Sequence, residues 1–201
     1  MPRTPDEAKR REIAEGALKV LREHGIHQTT MSHIASALGM KRPTLYWYFS
    51  DLGEIFEYSM QQIRTDEAAF IVERIRGIDH PLDLLEGLIR ADAEFFEQRG
   101  LEDFLLLLVQ FLGAGDAASR ARYRRIAVAD MEPLRLMLIA SVAAGVEGGM
   151  IAPCDPETLV DFLFVVLDGA MVHGVLRGAD TSSIYDFVHT AVIAPLRLDG
   201  V

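Results

Sequence analysis

Apolar residues recur with a period near 3.6 along almost the whole chain, which predicts a bundle of helices. From Asp6 to His24 the positions Ile13, Ala14, Ala17, Leu18, Val20 and Leu21 share one face, and Gly25 supplies a stop. Residues 30–49, TMSHIASALGMKRPTLYWYF, read as two short helices joined by a tight turn at Gly39. Leu52 to Arg76 predicts one long helix ended by Gly77. Pro81 to Gln98 predicts another, with Leu84, Leu85, Leu88, Ile89, Phe95 and Phe96 turned inward. Leu101 to Leu112 is apolar nearly all round, which predicts deep burial. Ala117 to Glu147 is helical in pattern, with Pro133 imposing a kink or a break; Pro156–Arg177 and Ser183–Leu196 complete the set. Strand alternation and internal repeats are absent from the pattern. The expected fold is all-α with about nine helices: a three-helix domain over 1–51 and a larger helical domain over 52–201.

The densest chemistry lies in the second short helix, expected from Lys41 to Phe49. Pro43 fits there only within the first turn, where a missing N–H costs nothing. Leu45 and Phe49 are four apart and belong to the inward side, with Tyr48 at its margin. Lys41, Arg42 and Thr44 gather at the N-terminal end, where the helix dipole favours phosphate. Tyr46 projects away from the inward side, on the same face as Arg42. A guanidinium suits guanine edges, a threonine methyl suits the thymine methyl, and hydroxyls suit phosphate. Small Ala35, Gly39 and aliphatic Leu45 have the spacing that a helix-turn-helix needs. The expected DNA contacts are Thr30, Lys41, Arg42, Pro43, Thr44, Tyr46, Trp47 and Tyr48. A basic-aromatic run alone would equally describe a solvated face; the preceding helix and glycine turn favour the DNA reading.

Net charge first speaks against DNA, at −10 over the chain. Divided by position, residues 1–50 carry eight Lys/Arg against five Asp/Glu, and the remainder carries twelve against twenty-five. A basic head and an acidic body have the right sign for a protein that presents one end to phosphates. Cys154 is the single cysteine, so no disulfide framework is expected. The N-terminus has no apolar stretch of the secretory kind, and the longest apolar runs, Phe104–Val109 and Phe162–Leu167, are short for a bilayer. A cytoplasmic protein with no membrane partner is the expectation.

With those residues in view, the first 56 positions resemble the DNA-binding segment of the TetR family of bacterial transcriptional regulators. The similarity runs through Arg11, Ile13, Ala17, Leu18, Leu21 and Gly25, then Thr29-Thr30, Ile34-Ala35 and Leu38-Gly39, and ends on Thr44-Leu45-Tyr46, Tyr48 and Phe49. The resemblance implies a homodimer on a palindromic operator, usually repressing, released by a small effector bound in the C-terminal part. The chain departs from the family pattern where Lys41 stands for a common serine, Pro43 for a small residue, and Leu52 for a lysine that contacts the DNA backbone. Lys41 would then replace the phosphate contact missing at Leu52.

Two stretches of the body bear on partners. Thr158–Arg177 is apolar on more faces than one surface helix hides, and Ser183–Leu196 carries a second stripe. Phe162, Val166, Gly169, Ala170, Gly174, Phe187 and Ala191 would form a seam between two copies, or equally an intrachain core by periodicity alone. Two reading helices must be held about 34–36 Å apart, or a multiple, to enter successive major grooves, and that favours the seam. The cavity that the resemblance implies would be lined by Phe70, Phe95, Phe96, Phe104, Gln110, Phe111, Met137, Met171 and His173, which suits an apolar or aromatic effector. Asp92 is a further polar candidate. For catalysis the sequence offers little: the six histidines include no i, i+4 pair for a metal, and no glycine elbow or phosphate-cradling loop is present. No enzyme activity, cofactor or metal is expected. The alternative class is a helical ligand-binding or protein-interaction module without sequence-specific DNA binding.

Overall fold

A computed structural model of the protein describes residues 6–26, 28–99 and 131–198, together with 105, 107, 121 and 129. Among the described residues there are eight α-helices: α1 Glu7–His24, α2 Met31–Ala37, α3 Arg42–Tyr48, α4 Leu52–Ile75, α5 Pro81–Arg99, α6 Glu132–Glu147, α7 Pro156–Arg177 and α8 Ser182–Val188. The single pairing of extended backbone described is an isolated antiparallel bridge between Ile151 and Arg197. The fold is all-α, as the periodicity predicts. The expected helix Leu101–Leu112 and the first part of Ala117–Glu147 lie outside the described residues.

Local chemistry explains where the helices start and stop. Asp6 caps α1 by accepting from the Ala8 N–H at 3.0 Å, and Gly25 ends it at φ 76°, donating to the Leu21 carbonyl. Pro133 sits in the first turn of α6, so the proline opens a helix rather than kinking one. The stretch expected as one helix from Ser183 to Leu196 changes character twice. It is α-helical to Val188, widens to a π-helix over His189–Ile193, and tightens to a 3-10 turn over Ala194–Leu196. Pro195 supplies the reason: it offers no N–H to the Ala191 carbonyl, and its ring would clash there.

The chain forms two compact units, Met1–Arg64 with Asp103–Val128 and Thr65–Glu102 with Ala129–Val201; the division falls within α4. In the first unit α1, α2, α3 and the start of α4 close on Ile13, Ala17, Ile34, Leu45, Phe49 and Ile55, each at most 1% exposed. In the second, α5, α6 and α7 pack around Leu82, Leu85, Leu88, Leu138, Val142 and Leu163, all fully buried. Each such side chain contributes about 1.5–3 kcal/mol by leaving water. Among the described glycines of this unit, Gly145 on α6 permits the closest approach. A Cβ there would lie 2.6 Å from Ile151 Cδ1 and 2.9 Å from Pro81 Cγ.

Helix α7 corrects the reading of its apolar runs. Its 22 residues are long and apolar enough to cross a membrane by length and composition. Counting only uninterrupted apolar residues missed this, because Asp161 and Asp168 interrupt the run without removing its mean hydropathy. In this unit Leu159, Val160, Leu163, Leu167 and Ala170 form an inward row of α7, buried in the core.

Candidate nucleic-acid interface

Terminal hydrogen bonds close both ends of α2. Thr30 caps α2 by accepting from the His33 N–H at 3.2 Å, which leaves its own O–H free to donate outward. The His33 ring bonds the Gln28 carbonyl through Nδ1 at 3.1 Å; a carbonyl only accepts, so Nδ1 carries the proton. At the other end, Met40 N–H reaches the Ala35 carbonyl at 2.8 Å and Gly39 N–H reaches Ser36 at 3.1 Å. This closure requires a left-handed residue, and Gly39 supplies it at φ 63°. The turn then delivers Lys41 as the N-cap of α3, with Arg42 and Pro43 in its first turn and no side chain capping it.

Sequence periodicity places the α3 side chains correctly. Leu45 and Phe49 are buried at 0% and 1%, and Tyr48 is half-buried against the same core. Thr30, Lys41, Arg42, Pro43, Thr44, Tyr46 and Trp47 are all exposed, with Tyr46 at 46% and Trp47 at 52%. Lys41 and Arg42 enter no ion pair among the described residues. Two cations, a hydroxyl and two amphipathic rings therefore stand open to solvent on one short helix. That set of donors and stacking faces suits phosphates and base edges.

The body places the other sequence candidates in three settings. Phe70, Phe95 and Phe96 come together, with ring centres 5.6 Å and 5.7 Å apart, and Asp92 is buried on the same helix as the latter two. Arg74 lies over Phe70 and Arg99 over Phe95, at 4.6 and 5.2 Å. Met137 and His173 are exposed instead, Met171 is half-buried, and Phe104, Gln110 and Phe111 lie outside the described residues. On α7 and α8, Phe162 and Phe187 are 41% and 67% exposed; Gly169 and Ala191 are also exposed, and Val166 and Gly174 are half-buried. Ala170 departs from this surface. Three residues after Leu167 and seven after Leu163, it falls on the inward row, 3% exposed. Val165 and Leu176, which the sequence reading did not single out, extend the exposed apolar surface at 70% and 60%. An open groove of about 470 Å³ adjoins it, lined by Cys154, Leu159, Phe162, Ala191, Pro195 and Leu196 among others. Burial pushes the Cys154 thiol up from its ordinary range, with Asp155 adding to the effect.

Residues 13–58 match the family model described as bacterial regulatory proteins, tetR family. A stretch of 100 residues is 34% identical to the HTH-type transcriptional repressor BepR of Brucella suis biovar 1 (strain 1330), covering 48% of this chain and 47% of that protein. Over this segment the chain is similar to regulators of the tetR family. Its match spans about half the length of that curated relative. Solved structures extend the likeness of fold along the whole chain. A TetR transcription regulator from Haloarcula marismortui ATCC 43049 superposes with a TM-score of 0.73 at 19% identity, covering 96% of this chain and 100% of its own. The transcriptional regulator FadR from Bacillus subtilis, in complex with stearoyl-CoA, gives 0.72 at 18% identity, with coverage of 93% and 99%.

Against the tetR pattern, the start of α4 explains the residue that departs at Leu52. Leu52 packs half-buried against the head core, and acidic groups close the helix end. Asp51 accepts from the Glu54 N–H at 2.8 Å, and Glu54 accepts from the Ser50 N–H at 2.7 Å. Sequence reasoning missed the group that ties this corner to α1: Arg10, Glu54, Tyr58 and Glu7. Arg10 and Glu54 are 44 positions apart, so no local spacing could have paired them.

Proposed function

We propose that this protein is a DNA-binding transcriptional regulator that binds a palindromic operator as a homodimer and represses until a small apolar or aromatic effector releases it. Residues 1–51 read DNA, and residues 52–201 bind effector and form the dimer. The protein acts in the cytoplasm, as a regulator without enzymatic or cofactor chemistry. The observation that carries the reading is the exposed face of α3, with Arg42 and Tyr46 outward and Leu45 and Phe49 anchoring it, inside a tetR-family segment. Thr30, Lys41, Thr44 and Trp47 add phosphate and base contacts, with Pro43 and Tyr48 beside them, and Lys41 takes the phosphate that Leu52 does not. The exposed apolar surface of α7 and α8, with Phe162, Val165, Leu176 and Phe187, is the dimer seam. The Phe70–Phe95–Phe96 cluster supports an apolar effector, and a regulator of the same fold holds stearoyl-CoA. Release follows only if the effector binds one spacing of the two reading heads more tightly than the other.

Footprinting on the DNA upstream of the protein's own coding sequence, over a series of salt concentrations, tests the reading. A regulator protects a symmetric site, and log affinity falls linearly with log salt by about 0.9 per phosphate neutralised. Weak retention indifferent to sequence would instead mark a helical module without an operator.

A further inference from the structure

We propose that Arg10 is a positioning residue for DNA reading, acting on DNA through α3 rather than by touching phosphate. The inference rests on the DNA-binding reading above. Helix α3 has seven residues and buries only Leu45. A helix that short has little stability of its own, so its angle is set by whatever holds its ends. The Gly39 turn fixes the first end. The second is Phe49, 1% exposed, whose N–H closes α3 on the Leu45 carbonyl. Arg10, on α1, grips the corner that follows. Its guanidinium carbon lies 5.0 Å from the centre of the Phe49 ring and 4.7 Å from that of Tyr58. Its Nη2 donates to Glu54 Oε1 at 2.8 Å. The other oxygen of that carboxylate accepts from the Ser50 N–H at 2.7 Å and from the Ser50 hydroxyl at 2.8 Å. Tyr58 O–H donates to Glu7 Oε1 at 2.7 Å, returning the cluster to α1. A single guanidinium therefore joins α1, through Glu54, to the backbone just past the reading helix, its plane against the rings and its N–H fork on the carboxylate. Glu54 neutralises its charge, and its side chain is 27% exposed.

The two roles open to this arginine predict opposite results. The full-length protein first selects a duplex from a random-sequence library. Affinity for that duplex and for a scrambled one is then measured over a potassium chloride series for wild type, Arg10→Met, Arg10→Lys and Glu54→Gln. Positioning predicts that Arg10→Met loses about ten-fold on the selected duplex, as expected for a coupled cluster. Its affinity for the scrambled duplex and its salt slope stay at wild-type values. Arg10→Lys, which keeps charge but not the fork, behaves closer to Arg10→Met than to wild type, and Glu54→Gln loses affinity in the same direction. A slope shallower by about one unit in Arg10→Met would overturn the proposal, since that is the signature of a lost phosphate contact. So would tighter binding by Glu54→Gln, or unchanged affinity in both. Circular dichroism reports folding, and if Arg10→Met fails to fold, the sign of the Glu54→Gln change decides alone. Selection of no sequence by wild type would overturn the regulator reading itself, together with this one.

Discussion

The two units of this chain differ in which charges and which apolar groups they leave open to solvent. In the first, Lys41 and Arg42 stand exposed on α3 without a carboxylate among the described residues, while Ile34, Leu45 and Phe49 nearby are buried. In the second, Arg74, Arg76, Arg90, Arg99, Arg135 and Arg197 each meet a carboxylate, and Arg135 alone meets Glu132, Glu157 and Asp161. That unit leaves apolar groups in solvent, with Val165 and Phe187 the most exposed of its large hydrophobic side chains. Surface ion pairs add little stability, so pairing chiefly removes free charge. The contrast is one of partners. Open cations with amphipathic rings suit a polyanion, and an exposed apolar surface suits another protein surface.

The comparison can be broken most severely in the head core. Phe49→Ala is expected to cost about 3–5 kcal/mol, seen as a fall in the thermal midpoint of the first unit. A cost below about 1 kcal/mol would mean that α3 is not anchored through this ring. Next in size is the apolar surface of the second unit. Phe187→Glu is expected to weaken self-association about a hundred-fold or more in sedimentation experiments, because a carboxylate would be buried in the seam. The helical circular dichroism of the protomer is expected to persist. Unchanged association would separate that surface from the dimer. Arg42→Ala and Tyr46→Ala are each expected to cost about 1–3 kcal/mol of operator binding by titration, with thermal stability unchanged within about 0.5 kcal/mol. Loss of folding in both would remove them as surface readers.

The smallest effects sharpen the contrast through pH. Burial, with the Glu7 carboxylate, pushes the Tyr58 phenol up from 10.0 to about 12. The folded head therefore favours the neutral ring: this contribution is complete below pH 10.0 and is lost as pH rises toward about 12. Tyr58→Phe is expected to flatten that alkaline fall, at a cost near neutrality of about 1 kcal/mol for the lost hydrogen bond. In the second unit Arg135 holds Asp161 below its ordinary 3.8, and the Thr158 hydroxyl does the same for Asp155. Their contribution is present above 3.8 and is lost as pH falls through the lowered values. Arg135→Met is expected to flatten that acid limb in thermal midpoints measured against pH.

How legible each part was in the sequence follows from the range of the forces involved. Helix limits at Gly25, Pro156 and Arg177 were readable because caps and prolines act within one turn, whereas Pro133 left a kink and a break equally open. The inward and outward sides of α3 were readable because a buried pair four apart orients everything else. The π-helix before Pro195 was not, since the pattern shows that a proline interrupts a helix but not how the ladder adapts. Ala170 was placed with the exposed surface because small size is equally suited to a tight core. Within α7, only the register of Leu163 and Leu167 distinguishes the two. Arg10 and Glu54 meet across 44 positions, and only the folded corner brings them together.

The central claim is that the head reads a DNA sequence rather than merely attracting phosphate. The direct test is the ratio of affinities, at one near-physiological salt concentration, for a duplex selected by the protein and for the same duplex scrambled. The account predicts a ratio of about 10³ or more, with two half-sites related by symmetry in the selected duplex. A ratio near one, at any absolute affinity, would contradict it.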